Sequence, residues 1–163
     1  MKFSRRHLLT FAAAALALLT AKAADARDIV PLTGYRYAPG SIVIYTSTRQ
    51  LYYVLGNGQA IRYPVGVGRA GMAWHGNGFI ARKHLRPAWS DESGGPVIPS
   101  GSPRNPMGAA ALGLDRGNYA IHGTNDPSSI GGYVSHGCIR MHNEDIMDLY
   151  RRTSIGTNVY VLQ

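Results

Sequence analysis

Short apolar runs broken by glycine and proline, rather than long amphipathic stretches, dominate this chain and predict strands joined by tight turns. Ser41-Ile42-Val43-Ile44-Tyr45-Thr46 is rich in β-branched and aromatic side chains and reads as a strand opening the domain. Leu51-Tyr52-Tyr53-Val54 and the run from Ala60 to Val67 flank Gly56-Asn57-Gly58. The Asn-Gly pair suits a two-residue turn in the left-handed region, so these runs should pair antiparallel. Tyr119-Ala120-Ile121 reads as a short buried strand delivering His122 at its end, where Gly123 lets the backbone turn sharply. Thr124 to Tyr133 follows as a polar loop, and Asn158-Val159-Tyr160-Val161-Leu162 as a closing strand. A single helix is expected. Asn143 stands as its N-cap, Glu144 and Asp145 in its first turn, Ile146, Leu149 and Tyr150 on its apolar face, and Arg151 and Arg152 in its last turn.

Between Arg86 and Pro106 lie five of the nine prolines, with Gly94, Gly95 and Gly101 among them. Proline donates no backbone hydrogen bond, so this segment is neither central strand nor helix but a long stiffened loop, either a wall of a binding groove or a surface excursion. Trp74 and Trp89 near it either line that groove or belong to the core. No internal repeat is visible.

The length of 163 residues allows one compact domain, and twenty glycines with ten tyrosines favour a turn-rich β fold. Residues 1–23 read as an export signal: Lys2, Arg5 and Arg6 precede an almost wholly apolar run from Leu8 to Leu19, and small residues surround Lys22. Ser4-Arg5-Arg6-His7-Leu8-Leu9 resembles a twin-arginine signal, with Sec export as the other route and an uncleaved anchor as the alternative to removal. Residues 24–40 are expected to be a flexible lead-in and 41–163 the domain. Without Lys2, Arg5, Arg6 and Lys22 the net charge of +8 falls to +4. No basic stripe interleaved with aromatics remains, so nucleic acid is not an expected partner.

Cys138 is the only cysteine and forms no internal disulfide. In an exported chain a lone thiol is either inert packing or a nucleophile. Its surroundings favour the second. Ile121-His122-Gly123-Thr124 is followed, after a loop, by Ser135-His136-Gly137-Cys138-Ile139-Arg140-Met141. An imidazole can take the thiol proton and form an ion pair poised near neutral pH. His122, arriving from another strand, and His136, two residues away and on the same face if the segment is extended, are equal candidates on chemistry alone. Gly137 permits a bend that frees the N–H groups of Gly137 and Cys138 for an oxyanion, and the Arg140 guanidinium suits a substrate carboxylate, unless it is a surface arginine. His75 and His142 read as surface or loop histidines.

These two segments resemble the signature of the L,D-transpeptidase family, also called the YkuD or ErfK/YbiS domain. The likeness extends through Val97-Ile98-Pro99, Asn105-Pro106-Met107-Gly108, Ile130-Gly131 and Asn143-Glu144-Asp145 to the hairpin around Tyr63-Pro64-Val65-Gly66-Val67-Gly68, covering roughly residues 41–163. The resemblance implies a mainly β, single-domain fold: a mixed, sandwich-like β core with a short helix after the cysteine loop and a groove framed by the proline-rich segment. It implies Cys138 as nucleophile, His122 as general base and acid, and His136, Gly137 and Gly123 shaping the site, with Arg140, Ser135, Thr124 and Tyr133 as candidates for holding substrate. Cys138 would attack the carbonyl between the third stem residue of peptidoglycan and D-Ala, release D-Ala and leave a thioester. An amine of a second stem or of a wall-attached protein would resolve it, or water in a carboxypeptidase. Carbapenems would acylate the same thiol. The expected location is the periplasm or cell envelope. A non-catalytic wall-binding module is one alternative. A zinc site of Cys138, His122 and His136 is another, but no paired-cysteine motif completes four ligands, so no metal or cofactor is expected.

Overall fold

The computed structural model describes residues 28–33, 37–91 and 93–163. The export signal read in residues 1–23 lies outside the described residues. Among them the elements in chain order are β1 (Asp28–Pro31), β2 (Ile42–Tyr45), β3 (Gln50–Gly56), β4 (Gln59–Pro64), β5 (Val67–Gly68), β6 (Gly76–Leu85), β7 (Ala110–Leu114), β8 (Ala120–His122), β9 (Tyr133–Ser135), β10 (Ile139–Arg140), α1 (Asn143–Arg152) and β11 (Asn158–Leu162). The architecture is mainly β with one short helix, as the resemblance implies.

The β3–β4 hairpin forms where Asn57-Gly58 predicts it: both residues have positive φ, 50° and 70°, the hand that matches strand twist. Nine strands form one sheet in the order β1-β4-β3-β2-β11-β6-β7-β8-β10, while β5 and β9 pair separately. β6 belongs to both halves of the large sheet. Its first residues pair with β11 and its last with β7, and the register shifts between Ile80 and Arg82. Ile42, Ile44, Leu51 and Val161 from one half meet Leu112, Leu114, Ile121 and Ile139 from the other in a single core cluster. Burying these side chains removes most of their apolar area from water, worth about 1.5–3 kcal/mol each before chain entropy is counted. Ile146 and Leu149 bring α1 onto that core against β7 and β8.

Two expectations change. The lead-in at residues 24–40, read as flexible, contains β1, which adds to the edge of β4 and carries an Asp28–Arg62 ion pair at 2.8 Å. The helix begins at Asn143, but the N-cap position belongs to His142, whose side chain makes no capping bond. The Asn143 amide is used elsewhere. The described residues of the proline-rich segment hold no strand, only an isolated bridge between Trp89 and Ile98. Among the described residues no helix is long and apolar enough to cross a membrane.

Candidate active site

β8 and β10 run parallel, with Ile121 opposite Ile139 and His122 opposite Arg140. The loop joining β9 to β10 therefore delivers Cys138 beside the strand that ends in His122. Ser135 braces this loop: its Oγ donates to the Cys138 carbonyl at 2.6 Å and accepts the Gly137 N–H at 3.0 Å. Gly137 has φ 123°, and a Cβ there would lie 2.4 Å from the Tyr119 ring, so no larger residue fits. The Gly137 carbonyl accepts the Trp74 indole N–H at 3.0 Å, and Trp74 stacks on Tyr119 with ring centroids 5.5 Å apart and planes 7° from parallel. An aromatic pair thus backs the thiol loop. Trp74 belongs to the site, whereas Trp89 bridges to Ile98. The partly buried Cys138 thiol donates to the Asn118 carbonyl at 3.8 Å.

His122 is only 4% exposed. Its Nδ1 lies 2.7 Å from the Gly123 carbonyl. A carbonyl can only accept, so Nδ1 carries the proton and Nε2 keeps its lone pair. Burial pushes the imidazole down to about 4; the Gly123 and Pro106 carbonyls pull it upward and the Arg140 charge pushes it further down. His122 is therefore uncharged at neutral pH, the state required of a proton acceptor. Burial thus opposes the expected resting ion pair, because desolvation disfavours its imidazolium half.

The other expected residues divide. Gly137 turns the chain, so His136 and Cys138 do not share an extended face; His136 is exposed, and its Nε2 lies 2.5 Å from an Arg69 guanidinium nitrogen. The Gly137 N–H is bound to Ser135, so it is not available for the oxyanion role expected of it. Ser135 and Thr124 are buried. The Thr124 hydroxyl spans the Asp126 N–H and carbonyl at 3.0 and 3.2 Å, so both side chains brace their own loops. The Tyr133 hydroxyl donates to the Ser47 carbonyl and accepts from Arg49, so it too is engaged within the protein. Arg140 differs: its Nε is buried and has no hydrogen-bond partner. Gly123 sits where a Cβ would come within 2.3 Å of the Asn143 Oδ1.

A cleft of about 560 Å³ lies between the proline-rich segment and the loop after β8, lined in part by Arg86, Ser102, Asn105, Thr124 and Asn143. Neither Cys138 nor His122 forms its wall. Among the described residues no group of three or more His, Cys, Asp or Glu is placed to hold a metal ion. Reading by residue type missed Trp74 as a support of the thiol loop, and missed that Asn143 binds backbone at both Ala109 and Thr124. The spacing of Asn143 ahead of an acidic helix start carries a capping signal, and that signal masked the second use.

Fold and site together define a β-sheet domain presenting one thiol next to a strand that ends in a buried, uncharged imidazole. The family model for the L,D-transpeptidase catalytic domain matches residues 39–161, and the chain belongs to that family. It is 38% identical over 136 residues to a probable L,D-transpeptidase, YbiS, of Escherichia coli, a match covering 74% of this chain and 43% of the relative. The putative L,D-transpeptidase YqjB of Bacillus subtilis is 34% identical over 137 residues, covering 80% of this chain and 73% of the relative. The chain thus spans less than half the length of the Escherichia coli relative. Among solved structures, an L,D-transpeptidase from Mycobacterium smegmatis superposes with a TM-score of 0.63 at 20% identity, covering 77% of this chain and 59% of that one. L,D-transpeptidase 3 from Mycobacterium tuberculosis, in complex with a faropenem-derived adduct, superposes at 0.59 and 19% identity, covering 76% and 60%. These two likenesses are of fold.

Proposed function

We propose that this protein is an exported L,D-transpeptidase acting on peptidoglycan stem peptides, with residues 1–23 as its export signal and the periplasm or cell envelope as its location. The observation that carries the reading is the buried His122, its Nδ1 2.7 Å from the Gly123 carbonyl, on the strand paired with the one that follows the only cysteine. His122 Nε2 takes the Cys138 proton as the sulfur attacks the carbonyl before D-Ala. The same nitrogen then returns the proton to the departing amine, leaving a thioester on Cys138 and free D-Ala. An acceptor amine attacks the thioester, loses its proton to His122, and the sulfur leaves as thiol. The unpartnered Arg140 Nε supports a role in holding a substrate carboxylate.

Wall fragments bearing tetrapeptide stems, incubated with the full chain, should lose D-Ala and yield cross-linked dimers by mass spectrometry. Loss of D-Ala without dimers under varied acceptors would make it a carboxypeptidase, and no change would make it a binding module. A carbapenem should add its mass to the native chain and not to Cys138→Ala; failure to acylate a demonstrably free thiol would overturn the assignment of the nucleophile.

A further inference from the structure

The Asn143 side chain lies behind the histidine, on the far edge of one peptide plane. Its Oδ1 accepts the Thr124 N–H at 3.1 Å and the Ala109 N–H at 2.9 Å, and its Nδ2 donates to the Thr124 carbonyl at 2.9 Å. Backbone N–H groups only donate and carbonyls only accept, so these partners fix which end of the amide is oxygen. The Thr124 N–H belongs to the same peptide unit as the Gly123 carbonyl. In a trans peptide the two point to opposite edges, and no cis bond occurs among the described residues. One peptide plane is therefore gripped from both sides, by His122 Nδ1 on its oxygen and by Asn143 Oδ1 on its hydrogen.

Two glycines make room for this grip. A Cβ at Gly108 would fall 2.2 Å from Asn143 Oδ1 and one at Gly123 2.3 Å from it, so both glycines leave room for the amide. The Ala109 contact ties the grip to the start of β7, next in the sheet to β8. Hydrogen bonds arranged in series polarise one another, so Asn143 Oδ1 accepting the Thr124 N–H pushes electron density toward the Gly123 oxygen and strengthens it as an acceptor for the His122 Nδ1–H.

We propose that Asn143 is a positioning residue for His122, holding the Gly123–Thr124 peptide so that its carbonyl keeps the proton on Nδ1 and leaves Nε2 directed to proton transfer. This deepens the transpeptidase reading and rests on it only for the purpose that the histidine serves. Its hydrogen bonds go to the backbone of Ala109 and Thr124, so it acts on the histidine through the peptide plane.

The test uses full chain with labelled histidine, reading the His122 tautomer from its imidazole nitrogen chemical shifts at neutral pH, alongside the rate of Cys138 alkylation by iodoacetamide. The native chain should show the Nδ1–H form alone. Asn143→Ala should show mixed tautomers with alkylation slowed ~10-fold, less than the ~10²-fold low end of what a positioned base contributes because part of the histidine keeps the Nδ1–H form. Asn143→Asp loses the donation to the Thr124 carbonyl but keeps an acceptor facing both N–H groups, and should restore the Nδ1–H form. An Asn143→Ala chain that stays folded and keeps the Nδ1–H form overturns the proposal. If that variant does not fold, Asn143→Asp decides, with the Nδ1–H form supporting and mixed tautomers overturning it. Neither readout involves wall peptide. A tautomer change with unaltered alkylation would support the grip and count against His122 as the base, whereas a chain that passes both tests but leaves stem peptides untouched would fail only the transpeptidase reading.

Discussion

Ser135 places two hydrogen bonds inside three residues of loop and decides where the thiol stands. Its hydroxyl is the partner of the buried Gly137 N–H and also holds the Cys138 carbonyl. Ser135→Ala removes both bonds and should lower unfolding free energy by about 1–3 kcal/mol, the cost of stranding a buried polar group. Urea denaturation measures that loss. Alkylation of Cys138 by iodoacetamide should slow in the same variant, because the loop no longer holds one geometry; an unchanged midpoint with an unchanged rate would contradict the bracing role. The serine is legible in the sequence as part of a motif, but its two partners are not. Which hydroxyl faces substrate and which faces backbone depends on the turn that Gly137 makes at φ 123°.

At the scale of elements, the stretches with self-contained patterns are the ones the sequence discloses. The β3–β4 hairpin carries its own turn residues, β11 its own alternation, and α1 its own charge gradient from Glu144 and Asp145 to Arg151 and Arg152. β6 and β7 are different. β6 contains two glycines and two adjacent basic residues, and β7 is Ala-Ala-Leu-Gly-Leu, buried throughout, so neither has strand propensity or alternation to announce it. They are strands because each finds a partner on both sides. β6 also secures the helix. Lys83 Nζ donates to the carbonyls of Tyr150, at 2.7 Å, and Thr153, and lies 4.1 Å from the Tyr150 ring centroid, placing a cation at the C-terminal end of α1. Burial pulls this ammonium below its ordinary lysine value. Lys83→Met should therefore cost about 1–2 kcal/mol and lower the melting temperature by a few degrees, while Lys83→Arg should recover part of it. Calorimetry of the three chains checks the order.

For the whole molecule, His122 couples folding to pH. Its folded value of about 4 lies below the ordinary 6.5, so the unfolded chain binds more protons between those limits. Stability from this group is complete above pH 6.5 and is lost as pH falls toward 4, by up to ~3 kcal/mol at 1.36 kcal/mol per pKa step. Denaturant midpoints measured from pH 7 down to 4 should fall accordingly. His122→Gln, which cannot acquire the charge, should show a shallower decline, and identical slopes in the two chains would refute the assignment. The same burial that makes the site acid-sensitive keeps the imidazole a base at neutral pH.

The sequence by itself determined the family, the lone thiol, the two candidate histidines and the elements whose turns and caps are encoded within a few residues. The family resemblance already distinguished His122 from His136, and only the tertiary structure supplied a physical difference between them. One is buried at the end of β8 with its Nδ1 proton committed to Gly123, and the other is exposed beside Arg69. Only the tertiary structure, too, turned Asn143 from a helix cap into a clamp on the peptide behind His122, and assigned the Gly137 N–H to Ser135. The physical reason is common to all three. Residue type states what a group can donate, accept or titrate, but burial and partners supplied by distant segments decide which of those capacities is used.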